Sequence, residues 1–181
     1  MVQNKKTVAT KKPPAKVAPK KVAAVATVAP PVRHTMAPDM EFDDDLLPSG
    51  GNTAFGRCGG REITNRIEQM SCTLLQSAGI AHTHSPRFFE VRFSDKQVGA
   101  YSPEIVLRGR GREGKTVILE TSTSPKDEGL KKIVAFRKQY GIEFYLIMIG
   151  KEEVLDEVPL EAFDESCTLV DLPTLVGRLS D

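Results

Sequence analysis

The chain has few of the features that would place it among secreted or membrane proteins. It contains only three cysteines, Cys58, Cys72 and Cys167, whose odd number and wide spacing support neither a disulfide framework nor a zinc site. No stretch is long and apolar enough to span a membrane, and no secretory signal or transit peptide is evident. We therefore expect a soluble, intracellular protein of the cytoplasm, nucleoid or nucleus.

Acidic side chains are absent from the first 34 residues. This segment contains eight basic residues, and its repeated Lys-Lys-Pro-Pro and Ala-Pro-Lys-Lys units interrupt any helix. An acidic patch at residues 39–45 follows, and then a Pro-Ser-Gly-Gly linker at residues 48–51. The pattern predicts a disordered tail over residues 1–51, basic at 1–34, and an α/β domain over residues 52–181.

The cationic tail has two interpretations. It is either a solubilising terminus or an arm that binds nucleic-acid phosphates without sequence preference. In the second case the contacts would come from Lys11, Lys12, Lys20 and Lys21. The net charge of +1 does not argue against nucleic-acid binding, because it is the sum of opposed charge blocks.

Hydrophobic periodicity predicts the elements of the folded part. The expected strands occupy residues 88–93, 101–107, 116–121, 143–149 and 167–170. The expected helices occupy residues 60–78 and 124–139, with a short helix from about residue 171. The strand at 143–149 is almost continuously apolar, which is typical of a strand buried on both faces. This order predicts a mixed central sheet flanked by helices.

Two glutamates stand at the ends of apolar strands. Glu104 shares its strand face with Val106, and Glu120 shares its face with Ile118 and Ser122. If the strands pair with these faces together, both carboxylates meet at one end of the sheet. A carboxylate there is costly to bury unless it is paired, hydrogen-bonded or bound to a metal. Two such carboxylates are what a divalent metal needs for hydrolysing a phosphodiester.

The order and spacing of these features resemble the PD-(D/E)xK nuclease superfamily, and within it the TnsA-like transposon endonucleases and related phage and mobile-element nucleases. The resemblance covers about residues 61–149. It comprises a helical glutamate eleven residues before Gly-Ile, Ser-Pro-Glu before a strand, Val-Ile-Leu-Glu-x-Ser after a hairpin, and Phe-Tyr-Leu-Ile-Met-Ile after a further helix. It implies a restriction-endonuclease-like fold and a DNA endonuclease that depends on Mg²⁺ or Mn²⁺.

The resemblance also implies roles for particular residues. Glu68, Glu104 and Glu120 match the family's acids and would hold the metal ion. Ser122 stands where the family has a lysine that orients or activates water, and serine cannot supply that positive charge. A lysine from the following helix would have to replace it. The candidates are Lys126, Lys131 and Lys132, of which Lys132 is preferred.

Two further groups of residues are candidates for binding. The connection between the carboxylate-bearing strands is basic, and it would either grip phosphates beside the site or form a solvated hairpin tip. Its basic residues are Arg108, Arg110, Arg112 and Lys115. His82 and His84 could act together as metal ligands from one side of a strand, but no cysteine or third histidine is near them in the sequence.

The sequence leaves several functions open. The leading hypothesis is a metal-dependent endonuclease acting on duplex DNA, as a homodimer or within a larger nucleoprotein assembly. A second is an inactive pseudonuclease that binds nucleic acid or serves as a scaffold in a DNA-processing or transcription assembly. A third is a DNA condenser that acts through its tail. The glutamates could also merely cap strand ends and pair with arginines.

Overall fold

A computed structural model of the 181-residue chain describes residues 31–33, 55–84, 87–93 and 96–179. The four tail lysines proposed to bind phosphate and the acidic patch lie outside these described residues. The described part is an α/β domain with a mixed six-stranded sheet flanked by helices, which confirms the α/β class and the mixed central sheet expected from the sequence. None of its helices combines the length and apolar character needed to cross a membrane.

The described residues form ten strands and four α-helices. The strands are β1 (Val32–Arg33), β2 (Arg57–Cys58), β3 (Arg61–Glu62), β4 (His82–His84), β5 (Phe89–Arg92), β6 (Val98–Tyr101), β7 (Ile105–Arg112), β8 (Lys115–Ser122), β9 (Phe144–Gly150) and β10 (Glu165–Cys167). The helices are α1 (Arg66–Ser77), α2 (Gly129–Tyr140), α3 (Glu152–Glu157) and α4 (Leu172–Val176).

The central sheet has the strand order β1-β10-β9-β8-β7-β4. Strands β4, β7 and β8 are successively antiparallel, whereas β9, β10 and β1 continue the sheet in parallel with β8. Helix α2 makes the crossover that the parallel pair β8 and β9 requires. Two small hairpins, β2–β3 and β5–β6, stand outside this sheet.

Alternation along β8 and β9 divides the core between the two faces of the sheet. Ile118 and Met148 pack in a cluster with α2 and the β5–β6 hairpin. Leu119 and Ile147 belong to the opposite cluster, which includes residues of α1 and α4. Every residue of β9 is buried, which confirms the prediction of a strand covered on both faces.

Strand β1 lies within the segment that the sequence predicts to be disordered. It pairs in parallel with β10, and the Val32 N–H donates to the Asp164 carbonyl oxygen at 2.7 Å. Arg33 Nη1 lies 2.6 Å from Oδ1 of Asp156, a residue of helix α3. These contacts make residues 31–33 the edge of the sheet.

Both long helices begin later than the sequence predicts. Helix α1 starts at Arg66 because the Asn65 side chain caps it by accepting a hydrogen bond from the Glu68 N–H at 2.8 Å. Helix α2 starts at Gly129. The residues before it, which were expected to form its first turn, form a turn that is not part of the helix. There the Asp127 N–H donates to the Ser124 carbonyl oxygen at 3.3 Å.

The predicted strand over residues 101–107 is two strands. Tyr101 ends β6, which pairs with β5, whereas Ile105 begins β7 in the central sheet. Pro103 lies between them and has no N–H to donate to a sheet ladder. The break leaves Glu104 just before the first residue of β7.

The basic connection after residue 107 is mostly strand rather than loop. Strand β7 runs to Arg112, and the turn is Glu113-Gly114, whose φ angles of 55° and 75° suit a two-residue hairpin. A register shift between Val106 and Gly111 accommodates extra residues on β7. At about 3.3 Å per residue, the turn lies roughly 30 Å from Glu104. The expectation that this basic hairpin tip flanks the carboxylates is therefore wrong.

A buried ion pair fastens α2 to the segment before β10. Arg137 Nε and Nη2 donate to Asp164 Oδ1 at 3.1 and 2.7 Å, and Asp164 Oδ2 accepts from the Leu146 N–H at 2.8 Å. The two side chains are only 8% and 7% exposed. Removing either partner would leave the other charge buried without compensation.

We expect Arg137→Leu to lower the free energy of unfolding by about 3–5 kcal/mol, because the Asp164 carboxylate would lose its buried partner. Urea denaturation of the two proteins would measure the difference. Arg92→Leu is the matched control, since it removes the exposed pair with Glu90 and should change stability by about 0–1 kcal/mol. Equal losses in both variants would contradict the importance of the buried pair.

Candidate active site and an adjacent cysteine and histidine cluster

Three glutamates lie close together at the end of the sheet where the central strands β8 and β9 finish. Glu68 comes from the first turn of α1, Glu104 precedes β7, and Glu120 lies near the end of β8. The pairing of Ile105 with Leu119, extended by one residue, places Glu104 opposite Glu120. The structure thus brings together the acids that the sequence singled out.

Glu104 and Glu120 hold each other through reciprocal hydrogen bonds. The Glu104 N–H donates to Glu120 Oε1 at 2.9 Å, and the Tyr101 hydroxyl donates to the same oxygen at 2.5 Å. In return, the Thr121 N–H and hydroxyl donate to Glu104 Oε2 at 2.8 and 2.7 Å. The second oxygens, Glu104 Oε1 and Glu120 Oε2, accept no hydrogen bond from the described residues. Each carboxylate therefore keeps one oxygen for a ligand.

Glu68 is fully buried and uses both of its oxygens. Its Oε1 lies 2.9 Å from His84 Nδ1, and its Oε2 accepts from the Thr64 N–H and hydroxyl at 2.8 and 2.9 Å. The Asn65 side chain donates to the Thr121 hydroxyl at 2.8 Å, which fixes the start of α1 against β8. Glu68 is therefore the least available of the three acids for direct metal ligation.

Burial dominates the electrostatics of the three acids. It raises the pKa of Glu104 to about 7, although the Thr121 hydrogen bonds oppose it, and the Glu68 charge adds to the rise. Burial and the Glu104 charge raise the pKa of Glu120 well above its ordinary value. Burial acts on Glu68 too, but hydrogen bonds from His84 and Thr64 outweigh it and lower the Glu68 pKa. These opposite pKa shifts favour the ionised form of Glu68 and the protonated form of Glu120.

A positive charge that acts on Glu104 comes from Arg61 on β3. Its charge lowers the pKa of Glu104, and its buried Nη1 has no hydrogen-bond partner among the described residues. No sequence pattern indicated Arg61, because it falls within the helix expected over residues 60–78 and belongs to no motif. The proposed lysines all have exposed side chains, and no hydrogen bond or ion pair joins them to Glu104 or Glu120 in the described structure. They are Lys126, Lys131 and Lys132.

Ser122 occupies the position where the resemblance expects a lysine. Its side chain is only 1% exposed, and its hydroxyl donates to the Ser124 carbonyl oxygen at 3.3 Å. The end of β8 therefore supplies a neutral, internally bonded side chain next to Glu120 and Thr121. Any cation that assists catalysis must come from another element.

The basic side chains of β7 and β8 are partly engaged with the protein itself. Arg110 Nη1 donates to the Leu179 carbonyl oxygen at 3.2 Å, and Arg112 Nη2 lies 3.8 Å from Glu165 Oε2. Lys115 Nζ lies 3.9 Å from a Glu113 carboxylate oxygen, whereas Arg108 is exposed. Their binding to DNA stays a prediction, and along the strands each lies at least four residues from the nearer carboxylate.

A cluster of two cysteines and two histidines lies next to Glu68. One potential ligand atom from each of Cys58, Cys72, His82 and His84 lies within 4.8 Å of the others. His82 Nε2 is 3.4 Å from Cys72 Sγ and 3.8 Å from Cys58 Sγ. The fold therefore brings two cysteines beside the histidines, although none is near them in the sequence. The β2–β3 hairpin and α1 bring both cysteines to β4.

The three cysteines differ in their surroundings. Burial, followed by the neighbouring Cys58 thiol, raises the pKa of Cys72 to about 12. Cys167 lies apart, in the core cluster beside α4, where burial raises its pKa to about 12 as well. Only Cys58 and Cys72 among the described cysteines belong to the cluster with the histidines.

No protein-family model matches the chain, and neither a curated protein sequence nor a solved structure matches it. The case for any function therefore depends on the arrangement of the residues themselves.

The raised pKa of Glu104 predicts how stability depends on pH in the presence of a chelator. The folded carboxyl keeps its proton up to about pH 7, whereas an ordinary glutamate loses it near 4.5. The folded state therefore binds more protons in this interval, and the free energy of unfolding should fall as pH rises through it. Glu104→Gln should weaken this fall and stabilise the protein at pH 8.

Urea denaturation at several pH values would measure this dependence. Glu62→Gln is the control, because Glu62 is an exposed glutamate on β3 and its replacement should leave the slope unchanged. Equal slopes in the wild type and Glu104→Gln would contradict a protonated Glu104.

Proposed function

We propose that the chain is a metal-dependent DNA endonuclease of the PD-(D/E)xK type, hydrolysing phosphodiester bonds with Mg²⁺ or Mn²⁺. The observation that carries the proposal is the pair formed by Glu104 and Glu120. The two carboxylates come from neighbouring strands, lie at one edge of the sheet, and each keeps one oxygen free of hydrogen bonds from described residues.

The element order supports a restriction-endonuclease-like fold. Helix α1 precedes the antiparallel strands β4, β7 and β8, and α2 then leads to β9, which is parallel to β8. In the resemblance, the series is a helix, two strands joined by a hairpin, a helix and a strand, and α1, β7, β8, α2 and β9 follow this order. Strand β4 was not expected, and the strand expected at residues 88–93 lies in the separate β5–β6 hairpin. The α/β architecture is observed, and the restriction-endonuclease-like fold is part of our proposal.

The free oxygens fit a hard divalent cation. Mg²⁺ prefers carboxylate oxygens, and Glu104 Oε1 and Glu120 Oε2 would hold it. When bound, such a cation polarises a phosphoryl oxygen and lowers the pKa of a bound water. The Tyr101 hydroxyl and the Thr121 N–H hold the opposite oxygens, so the protein fixes the orientation of both carboxylates before a ligand arrives. The raised pKa values mean that binding would release protons.

Arg61, whose charge lowers the pKa of Glu104, is our candidate to supply the charge that Ser122 lacks. A guanidinium stays protonated and cannot act as a base, so Arg61 would act by stabilising negative charge on the phosphate. Its buried Nη1 has a free donor for such an oxygen. Loss of electrostatic help of this kind commonly costs a few kcal/mol of barrier.

A specific observation also favours the pseudonuclease as a second candidate. Ser122 is buried and bonded to Ser124, and the three lysines proposed to replace the family's lysine have exposed side chains that do not contact the acids. A protein that binds DNA without cutting it would keep the fold and the acids' hydrogen bonds. The two candidates therefore differ in turnover rather than in architecture.

Cleavage assays on supercoiled and linear DNA with Mg²⁺ or Mn²⁺ would separate the candidates. We expect the wild type to cut, and Glu104→Ala and Glu120→Ala to lose cutting, because each removes a metal ligand. Arg61→Ala should slow cutting by about 10²- to 10³-fold. Glu62→Ala, at an exposed glutamate, is the matched control and should cut normally.

Thermal unfolding of each variant would show that lost cutting is not lost folding. Absence of cutting by the wild type, with DNA binding intact, would overturn the endonuclease and support the pseudonuclease. Cutting that survives both glutamate substitutions would assign the activity to other residues or to a contaminant.

Deletion of residues 1–30 tests the cationic tail while leaving β1 in place. If the tail lysines contact phosphates, the deletion should flatten the dependence of the logarithm of affinity on the logarithm of salt, by about 0.9 per lost phosphate contact. Fluorescence anisotropy on a DNA duplex at several salt concentrations would measure the slope. An unchanged slope would identify the tail as a solubilising terminus, and complete loss of binding would favour the DNA condenser.

A further inference from the structure

The cluster of Cys58, Cys72, His82 and His84 is made by three separate pieces of the chain. Cys58 lies on the β2–β3 hairpin, Cys72 on α1, and the two histidines on β4. We propose that these four side chains form a structural zinc site that ties the hairpin to the rest of the domain. The proposal does not depend on nuclease activity.

The set of side chains suits zinc. Two thiolates and two imidazoles are a common four-ligand set of structural Zn²⁺ sites, whereas Mg²⁺ and Mn²⁺ prefer oxygen ligands. Zinc bonds of about 2.3 Å to sulfur and 2.0–2.1 Å to nitrogen place sulfur and nitrogen about 3.6 Å apart in a tetrahedron. His82 Nε2 lies 3.4 and 3.8 Å from the two sulfurs, which is close to this separation.

The second ring nitrogens of both histidines support the same conclusion. His82 Nδ1 lies 3.0 Å from the Ile80 carbonyl oxygen, which can only accept, so Nδ1 carries the proton and Nε2 has the lone pair. His84 Nδ1 lies 2.9 Å from Glu68 Oε1, while its buried Nε2 has no hydrogen-bond partner among the described residues. Histidines that bind metals usually donate their other N–H to a carboxylate or a backbone carbonyl, as both do here.

The hairpin that carries Cys58 is held to α1 by side-chain hydrogen bonds, in which Gln69 Nε2 donates to the Phe55 carbonyl oxygen at 2.9 Å and Gln76 Nε2 donates to Cys58 Sγ at 3.5 Å. Its two strands have two residues each, and the turn between them is Gly59-Gly60, with φ angles of 59° and 87°. Glycine alone adopts such angles at low cost, so the turn lets the chain reverse within four residues. A zinc ion would replace the apolar core that so small a hairpin cannot form.

The same hairpin carries Arg61, which acts on Glu104. Zinc would therefore help to position the surroundings of the acidic pair in two ways. It would hold the β3 backbone that carries Arg61, and it would hold His84, which is hydrogen-bonded to Glu68. These contacts explain why Glu68 is buried with both oxygens satisfied. It is the acceptor that fixes His84.

Metal analysis of the full chain, purified without chelators, tests the proposal directly. We expect about one zinc per chain by elemental analysis. We also expect Co²⁺ added to the chelator-treated protein to give the visible bands of a tetrahedral site and a thiolate charge-transfer band. Zinc well below one per chain together with no cobalt bands would overturn the proposal. A Cys58–Cys72 disulfide found by thiol counting in freshly purified protein would overturn it too.

Substitutions identify the ligands without relying on activity. Cys58→Ser and His82→Ala should each abolish the thiolate-rich cobalt spectrum or shift it, and should lower zinc affinity by at least tenfold. Cys167→Ala is the matched control, because it removes a cysteine that lies outside the cluster, and it should keep the wild-type spectrum and zinc content. Far-ultraviolet circular dichroism would verify that each variant folds.

Glu68→Gln tests the carboxylate that supports His84. It should retain the cobalt spectrum but weaken zinc affinity by about 10- to 100-fold, as expected for a side chain that acts through a ligand. Loss of the spectrum would assign Glu68 as a direct ligand and contradict the proposed set. Unchanged affinity would contradict its supporting role. Because no DNA is present, these outcomes do not depend on whether the protein cuts.

Discussion

The need to satisfy buried carboxylates at one sheet edge organises this part of the molecule. A carboxylate removed from water must find hydrogen bonds or give up its charge. Glu104 and Glu120 do both, because each accepts hydrogen bonds from the strand of the other and each has a raised pKa. The contacts of Tyr101 and Thr121 belong to the same arrangement, and they are why β7 and β8 must stay in register at this end.

The sequence predicted the features that depend on short-range periodicity. The run from Phe144 to Ile149 has so few polar residues that only a strand covered on both faces suits it, and β9 is that strand. Alternation also predicted which residues share a face with each glutamate, Val106 with Glu104 and Ile118 with Glu120, since the period of a strand is two regardless of its neighbours. Both inferences needed only adjacent residues, which is why they could be made without a structure.

Other features depend on tertiary contacts that no local pattern encodes. Cys58, Cys72 and His82 are separated by 14 and 10 positions, and a turn of two glycines and the pitch of α1 decide that they meet. Arg61 reaches Glu104 through the same turn. The basic residues of β7 looked like a loop because Gly109 and Gly111 alternate with arginines, yet pairing with β8 continues to Arg112. In each case a long-range contact determined the outcome.

The acidic pair and the cysteine and histidine cluster share one side chain, Glu68. Its ionised carboxylate is held by His84, and its negative charge raises the pKa of Glu104 and Glu120. A cation on His84 Nε2 would strengthen the Nδ1–H as a donor and thereby hold Glu68 ionised. The ionised Glu68 in turn makes a proton or a divalent cation on Glu104 more favourable, while Arg61 opposes the proton. The cluster therefore bears on the affinity of the acidic pair for a cation, so that the two sites are electrostatically linked through a single hydrogen bond.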